Sequence, residues 1–111
     1  MKRNILFVCS GNKDRSPTAE KIFKKDPRFI VRSAGINENA RHILTERMLM
    51  WADYIFVMTK LHRRQILSKF HKLDKGIDNK IKCLGIPDRY DYMDQKLVNL
   101  IKVKIHSFFN H

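Results

Sequence analysis

At 111 residues the chain has the length of one domain, expected to span residues 1–111 and to bury roughly two-thirds of its unfolded surface. A hydrophobic content of 43%, with only 4 glycines and 3 prolines, excludes a disordered tail, a collagen-like repeat and a low-complexity linker. Lys and Arg number 23 against 11 Asp and Glu, and the formal charge of +12 points to anionic partners: phosphate groups, nucleic acid or an acidic membrane surface.

The first apolar run, Asn4 to Cys9, is β-branched and aromatic and reads as a buried strand. It is shorter than the core of a signal peptide, and no stretch reaches the length of a membrane span, so the expected setting is cytoplasmic. A polar loop leads to Arg15, and Ser16-Pro17 reads as an N-cap with proline at the first helical position of a helix running to about Lys25. Asp26-Pro27 punctuates, and Arg28 to Ala34 is a second strand ending at Gly35. Ala40, Ile43, Leu44, Met48, Trp51 and Ala52 recur at helical spacing, with Trp51 expected in the core. Tyr54 to Met58 is a third strand. Leu61, Ile66, Leu67, Phe70 and Leu73 mark a basic amphipathic helix whose cations read as a solvated face.

Asp74 to Asn79 is a polar turn, Ile81 to Leu84 a fourth strand in which Cys83 reads as a buried hydrophobe, and residues 85–90 a loop. Asp94 caps a last helix carrying Leu97, Leu100, Ile101, Ile105 and Phe108 on one face. Four strands alternating with four helices predict an α/β, three-layer sandwich: a four-stranded parallel sheet with helices on both faces. Ligands of such folds sit at the C-terminal ends of the strands, so the loops after Cys9, Ala34, Met58 and Leu84 share one rim.

The loop Cys9-Ser10-Gly11-Asn12-Lys13-Asp14-Arg15-Ser16 carries the chemistry. Small residues curling into a helix aim several backbone N–H groups at one point, and the helix dipole adds about half a positive charge there. Such a nest binds an oxyanion such as phosphate, and its field favours the thiolate of a Cys at its base. Arg15 is placed to hold two phosphoryl oxygens bidentately, with Cys9 in line as nucleophile. With only two cysteines, Cys9 and Cys83, a disulfide framework is excluded. The five histidines, His42, His62, His71, His106 and His111, show no metal-ligand spacing and read as surface or helix-face residues.

Ile5-Leu6-Phe7-Val8-Cys9-Ser10-Gly11-Asn12 followed by Arg15-Ser16-Pro17-Thr18-Ala19-Glu20 resembles the signature of the low-molecular-weight protein tyrosine phosphatases. Val31 to Gly35, Trp51 to Met58 and Ile86-Pro87-Asp88-Arg89-Tyr90 are similar to further blocks of that family, in the same order. The resemblance implies a phosphomonoester hydrolase in which Cys9 forms a cysteinyl-phosphate. Arg15 and the backbone N–H groups of Ser10, Gly11, Asn12, Lys13, Asp14 and Arg15 would bind the phosphoryl oxygens. It also implies that Ser33 supports Asn12, that Ser16 donates to the Cys9 sulfur, and that Asp88 is the general acid, with no metal or cofactor required. The expected ligands are a phosphotyrosine protein or small aryl phosphate, and inorganic phosphate or sulfate in the loop. A membrane partner is not expected, nor is nucleic acid, because interleaved exposed aromatics are missing.

Three departures qualify the resemblance. The chain is shorter than the usual member, with an abrupt passage from Ile36 to Ala40 where a longer excursion walls the cleft. Asp14 stands where many members have a second Cys; a carboxylate inside the pocket would repel phosphate, so its side chain is expected to point outward, toward Lys13. Arg89 follows the acid where Pro is usual; Arg89 and Tyr90 are expected at the substrate rim, Asp91 is the distant competitor for the acid, and Tyr92 could stack on a substrate. Two other functions are carried: an arsenate reductase-like thiol enzyme, whose three-cysteine relay would have only Cys9 and Cys83 here and lack a member unless an external thiol serves, and a non-catalytic basic module binding phosphate or nucleic acid.

Overall fold

The computed structural model describes residues 2–73 and 76–110. Asp74, which opens the predicted polar turn, and His111 lie outside the described residues.

Strand β1 (Arg3–Cys9) is the central element: Ile5 to Cys9 are all buried. It pairs in parallel with β2 (Phe29–Gly35) on one side and with β3 (Tyr54–Val57) on the other; β4 (Ile81–Cys83) pairs with β3. The order β2-β1-β3-β4 places the reversal of strand order at β1, whose C-terminal end is Cys9. A crevice opens at that point in sheets of this kind.

The alternation of side chains along the strands sorts the core into two layers. Ile5, Phe7 and Phe56 face helices α1 (Arg15–Phe23) and α5 (Gln95–Phe109), meeting Ala19, Phe23, Leu97, Ile101 and Ile105. Leu6, Val8, Ile55 and Val57 face the other way, meeting Leu49 of α2 (Glu46–Trp51), Ile66 of α3 (Lys60–Lys69) and Ile77 of α4 (Gly76–Lys80). The first layer is aromatic: Phe7 stacks on Phe56 at 5.8 Å, and Phe108 meets Phe56 edge-on at 5.1 Å. Burying each of these rings contributes about 2–3 kcal/mol. No described helix is long and apolar enough to cross a membrane.

The predicted three-layer α/β sandwich is the observed fold, with corrections of detail. Helix α1 begins at Arg15 after Asp14, so Pro17 is the third helical residue rather than the first; its missing N–H belongs to a turn whose amides have no intrahelical partner anyway. Ala40, Ile43 and Leu44 precede α2 instead of lying in it. Residues 36–44 fold back on Gly35, whose N–H donates to His42 O (2.8 Å) and whose carbonyl accepts from Leu44 N (2.9 Å), and α2 starts only after the Thr45 cap. The polar turn contains the short helix α4. Cys83 is exposed, not a buried hydrophobe, because β4 is an edge strand. Trp51 is half-buried against the second layer, with the Arg32 guanidinium over its ring at 4.7 Å.

Candidate active site

Cys9 ends β1, and residues 10–14 turn directly into α1. The turn requires Asn12 in the left-handed region (φ 53), where Asn is tolerated better than most side chains. Asn12 is 1% exposed and fully bonded: its amide Nδ2 donates to Ser16 Oγ and to Ser33 Oγ, each at 2.9 Å. Its Oδ1 accepts from His42 Nδ1 (2.9 Å), and Ser33 Oγ donates onward to Glu20 Oε1 (2.6 Å). Ser16 Oγ, having accepted from Asn12, lies 2.9 Å from Cys9 Sγ and 3.4 Å from Ala34 O, so its proton has the sulfur as its nearer acceptor.

The loop sits on Gly35. A Cβ there would lie 2.6 Å from Ala40 Cβ, 2.7 Å from Ser10 O and 2.8 Å from Asn12 N, so only glycine permits this approach. The following segment is tied down by Ile36 N to Cys9 O (3.0 Å), Asn37 N to Ser10 O (3.0 Å) and Arg41 N to Gly11 O (3.2 Å).

The Arg15 side chain is 4% exposed. Its Nη1 donates to Ile86 O at 2.9 Å, and its Nε lies 3.8 Å from Asp88 Oδ1 on a carboxylate that is 71% exposed. Cys9, Ser10, Gly11, Lys13, Asp14, Arg15, Asn37 and Asp88 line one cavity of about 200 Å³. The structure therefore brings the expected nucleophile, phosphate-binding residues and acid to one place, with Ser16 and Ser33 behind the loop. Arg89 and Tyr90, expected at the rim, are not among the lining residues: Arg89 is exposed elsewhere, and Tyr90 packs half-buried against the aromatic layer.

Asp14 does not turn to Lys13. Its Oδ1 accepts from the backbone N–H of Tyr92 at 3.0 Å. Beside it, Thr18 Oγ1 donates to Asp14 O (2.6 Å) and accepts from Met93 N (2.9 Å), with Met93 itself left-handed (φ 61). These contacts fasten the chain that follows Asp88 to the start of α1. Asp94 accepts from Lys96 N at 2.9 Å and is the cap of α5, as its position suggested; Asp91 is exposed.

The family description "Low molecular weight phosphotyrosine protein phosphatase" matches residues 4–51, which hold the whole loop and its Gly35 support. Over those residues the chain is similar to the low-molecular-weight protein tyrosine phosphatases. A protein-arginine-phosphatase of Bacillus subtilis is 35% identical over 94 residues, covering 60% of this chain and 63% of that protein; the chain thus matches less than two-thirds of this curated relative's length. Among solved structures, the YwlE arginine phosphatase of Geobacillus stearothermophilus is similar with a TM-score of 0.68 at 23% identity, covering 98% of this chain and 97% of that one. Vibrio vulnificus Wzb in complex with benzylphosphonate is similar with a TM-score of 0.74 at 25% identity, covering 97% of both chains.

Two histidines beside the loop escaped the sequence reading. His42 is exposed but spends its Nδ1 proton on Asn12. His62, read as a surface or helix-face residue, is 2% exposed, and its Nε2 lies 2.8 Å from Ser10 Oγ. Burial pushes its pKa down to about 4, helped by the nearby Arg15 charge and opposed by Asp88. A signal for His62 existed: Thr59-x-x-His62 has capping-box spacing, with His in the place usually held by Glu or Gln. Asn37, within the abrupt passage from Ile36 to Ala40, also lines the cavity.

Cys83 is separated from Cys9 by strand β3. Two strand spacings are about 10 Å, beyond the roughly 7 Å Cα separation that a disulfide bridges. A thiol relay between the two cysteines has no geometric support.

Proposed function

We propose that the protein is a cysteine-dependent phosphatase acting on phosphorylated protein side chains or small aryl phosphates. The observation that carries this reading is the convergence of Cys9, Arg15 and Asp88 on one cavity at a helix N-terminus, with the Ser16 hydroxyl 2.9 Å from the Cys9 sulfur behind the loop. Backbone N–H groups of residues 10–15 and Arg15 bind the phosphoryl oxygens. The Cys9 thiolate attacks phosphorus, the ester bond breaks, and Asp88 gives its proton to the leaving oxygen. Asp88, now a carboxylate, takes a proton from water as that water attacks the cysteinyl-phosphate; inorganic phosphate leaves and the thiolate is restored, held by Ser16. No step calls for a metal or cofactor. Unpaired thiols suit a reducing compartment, and we take the cytoplasm as the setting.

Two substrates are in view. Phosphotyrosine is the first, since Lys13 lines the cavity and opposes a cationic leaving group. Phosphoarginine is the second, because the curated relative is a protein-arginine-phosphatase. For it Asp88 would give its proton to the leaving nitrogen as the P–N bond breaks, and the resulting carboxylate would face the guanidinium. The test is hydrolysis of a generic aryl phosphate between pH 5 and 7 by the wild type, Cys9→Ser and Asp88→Asn. Cys9→Ser should abolish turnover, and Asp88→Asn should slow it roughly 10²–10⁴-fold. Phosphotyrosine and phosphoarginine peptides then rank the substrates. Reduced, folded wild type that turns over none of the three contradicts the proposal.

A further inference from the structure

The His62 ring joins the N-cap of α3 to the loop after β1, which the pairing of β1 with β3 brings side by side. Its Nδ1 lies 3.2 Å from the backbone nitrogen of Thr59, the N-cap of α3. An amide N–H only donates, so Nδ1 holds a lone pair, and the single proton of a neutral imidazole resides on Nε2. Nε2 is 2.8 Å from Ser10 Oγ and therefore donates to it. The Ser10 oxygen is an acceptor in that bond, which leaves its own O–H proton to be placed. Among the described residues no protein acceptor lies within bonding distance of it, while Ser10 lines the cavity with Cys9, Arg15 and Asp88.

We propose that His62 is a positioning residue that turns the Ser10 hydroxyl into a proton donor aimed at the phosphoryl oxygen in the loop. This rests on the phosphate-binding reading of that loop and adds a side-chain donor to its backbone N–H groups. Capping alone uses only Nδ1, so the Nε2 contact is a second job. A cationic ring would fail at the first, since a protonated Nδ1 would confront the Thr59 N–H. Burial and the neighbouring Arg15 charge also oppose protonation. The device keeps one fixed donor at the phosphate without a second buried cation beside Arg15. The hydroxyl is held before the substrate arrives, which is what preorganised stabilisation requires.

The test combines binding of inorganic phosphate by calorimetry, kinetics on an aryl phosphate, and ¹⁵N NMR of the His62 ring. Ser10→Ala should weaken phosphate binding about 10-fold or more, the range for a hydrogen bond to a charged group, and Ser10→Thr should restore it. His62→Gln, whose carbonyl can still accept the Thr59 N–H, should keep the helix cap yet lose part of the phosphate affinity. The ring should show the Nε2-protonated tautomer from pH 5 to 8, with a shift on adding phosphate. An Nδ1-protonated or cationic ring, phosphate affinity unchanged in Ser10→Ala, or wild type that binds no phosphate overturns the proposal. The two readings separate cleanly. Unchanged affinity in Ser10→Ala with wild-type turnover intact defeats only this inference. Absent turnover with Ser10-dependent phosphate binding defeats only the phosphatase reading.

Discussion

Two of the loops that line the cavity are built on opposite principles. Residues 9–16 are contiguous, largely buried and held by bonds at nearly every position: Asn12 alone ties together Ser16, Ser33 and His42. The loop carrying Asp88 is fastened at its ends and open between them. At one end Ile86 N donates to Met58 O (2.7 Å) and Ile86 O accepts from Arg15; at the other Tyr92 and Met93 N–H groups reach Asp14 and Thr18. Asp88 itself stands 71% exposed, 3.8 Å from Arg15. A site that holds charge gains from rigid dipoles, whereas a proton donor must meet both substrate and water. Asp14 is the joint between the two, since its backbone opens α1 while its carboxylate accepts from Tyr92 in the segment after Asp88.

Breaking the rigid loop should have the largest effect. Asn12→Ala leaves an unfavourable residue at φ 53 and strips partners from Ser33 and His42. It should cost about 3–5 kcal/mol of stability and nearly all phosphate binding, read by chemical denaturation and calorimetry. The next effect is pH-dependent. The His62 pKa of about 4 lies below its ordinary 6.5, so on acidification the unfolded chain takes up the proton first. Stability should fall between pH 6.5 and 4, by at most about 3 kcal/mol. Arg15 of α1 sharpens this and Asp88 of the acid loop softens it. His62→Gln should lack that part of the slope when denaturation midpoints are compared across the window.

Gly35→Ala forces a Cβ against Ser10 O and Asn12 N and should cost about 1–3 kcal/mol, with a larger loss of phosphate affinity than of Tm. Asp14→Ala should sharpen the comparison most gently. Losing the Tyr92 contact should cost about 1 kcal/mol or less and lower kcat more than it raises KM, because the acid loop rather than the phosphate loop is loosened.

The same contrast governs what could be read from sequence. The strands were legible because each is a short apolar run, and the Cys9-to-Arg15 loop because its residues are consecutive. Asp94 as a cap was legible from its place before the apolar stripe of α5. Contacts that depend on the fold were not. His62 meets Ser10 across 52 residues and His42 meets Asn12 across 30, and neither has a local pattern pointing there. Ala40, Ile43 and Leu44 have helical spacing, yet hydrogen bonds to Gly35 and the Thr45 cap decide where α2 begins. Cys83 looked buried because its neighbours are apolar, but membership of an edge strand is set by topology. The direction of Asp14 followed from electrostatics only in part. It avoids Lys13 because the Tyr92 N–H supplies a directional donor that sequence could not place.

The Cys9 sulfur is the atom we propose to receive the phosphoryl group. Asp88→Asn, which should slow hydrolysis of the intermediate, can be mixed with an aryl phosphate, quenched in acid and mapped by mass spectrometry. One phosphoryl group on the peptide containing Cys9, absent in the Cys9→Ser, Asp88→Asn double variant, is the predicted result. Turnover of the aryl phosphate with the label on another residue, or with Cys9→Ser as active as the wild type, would contradict it.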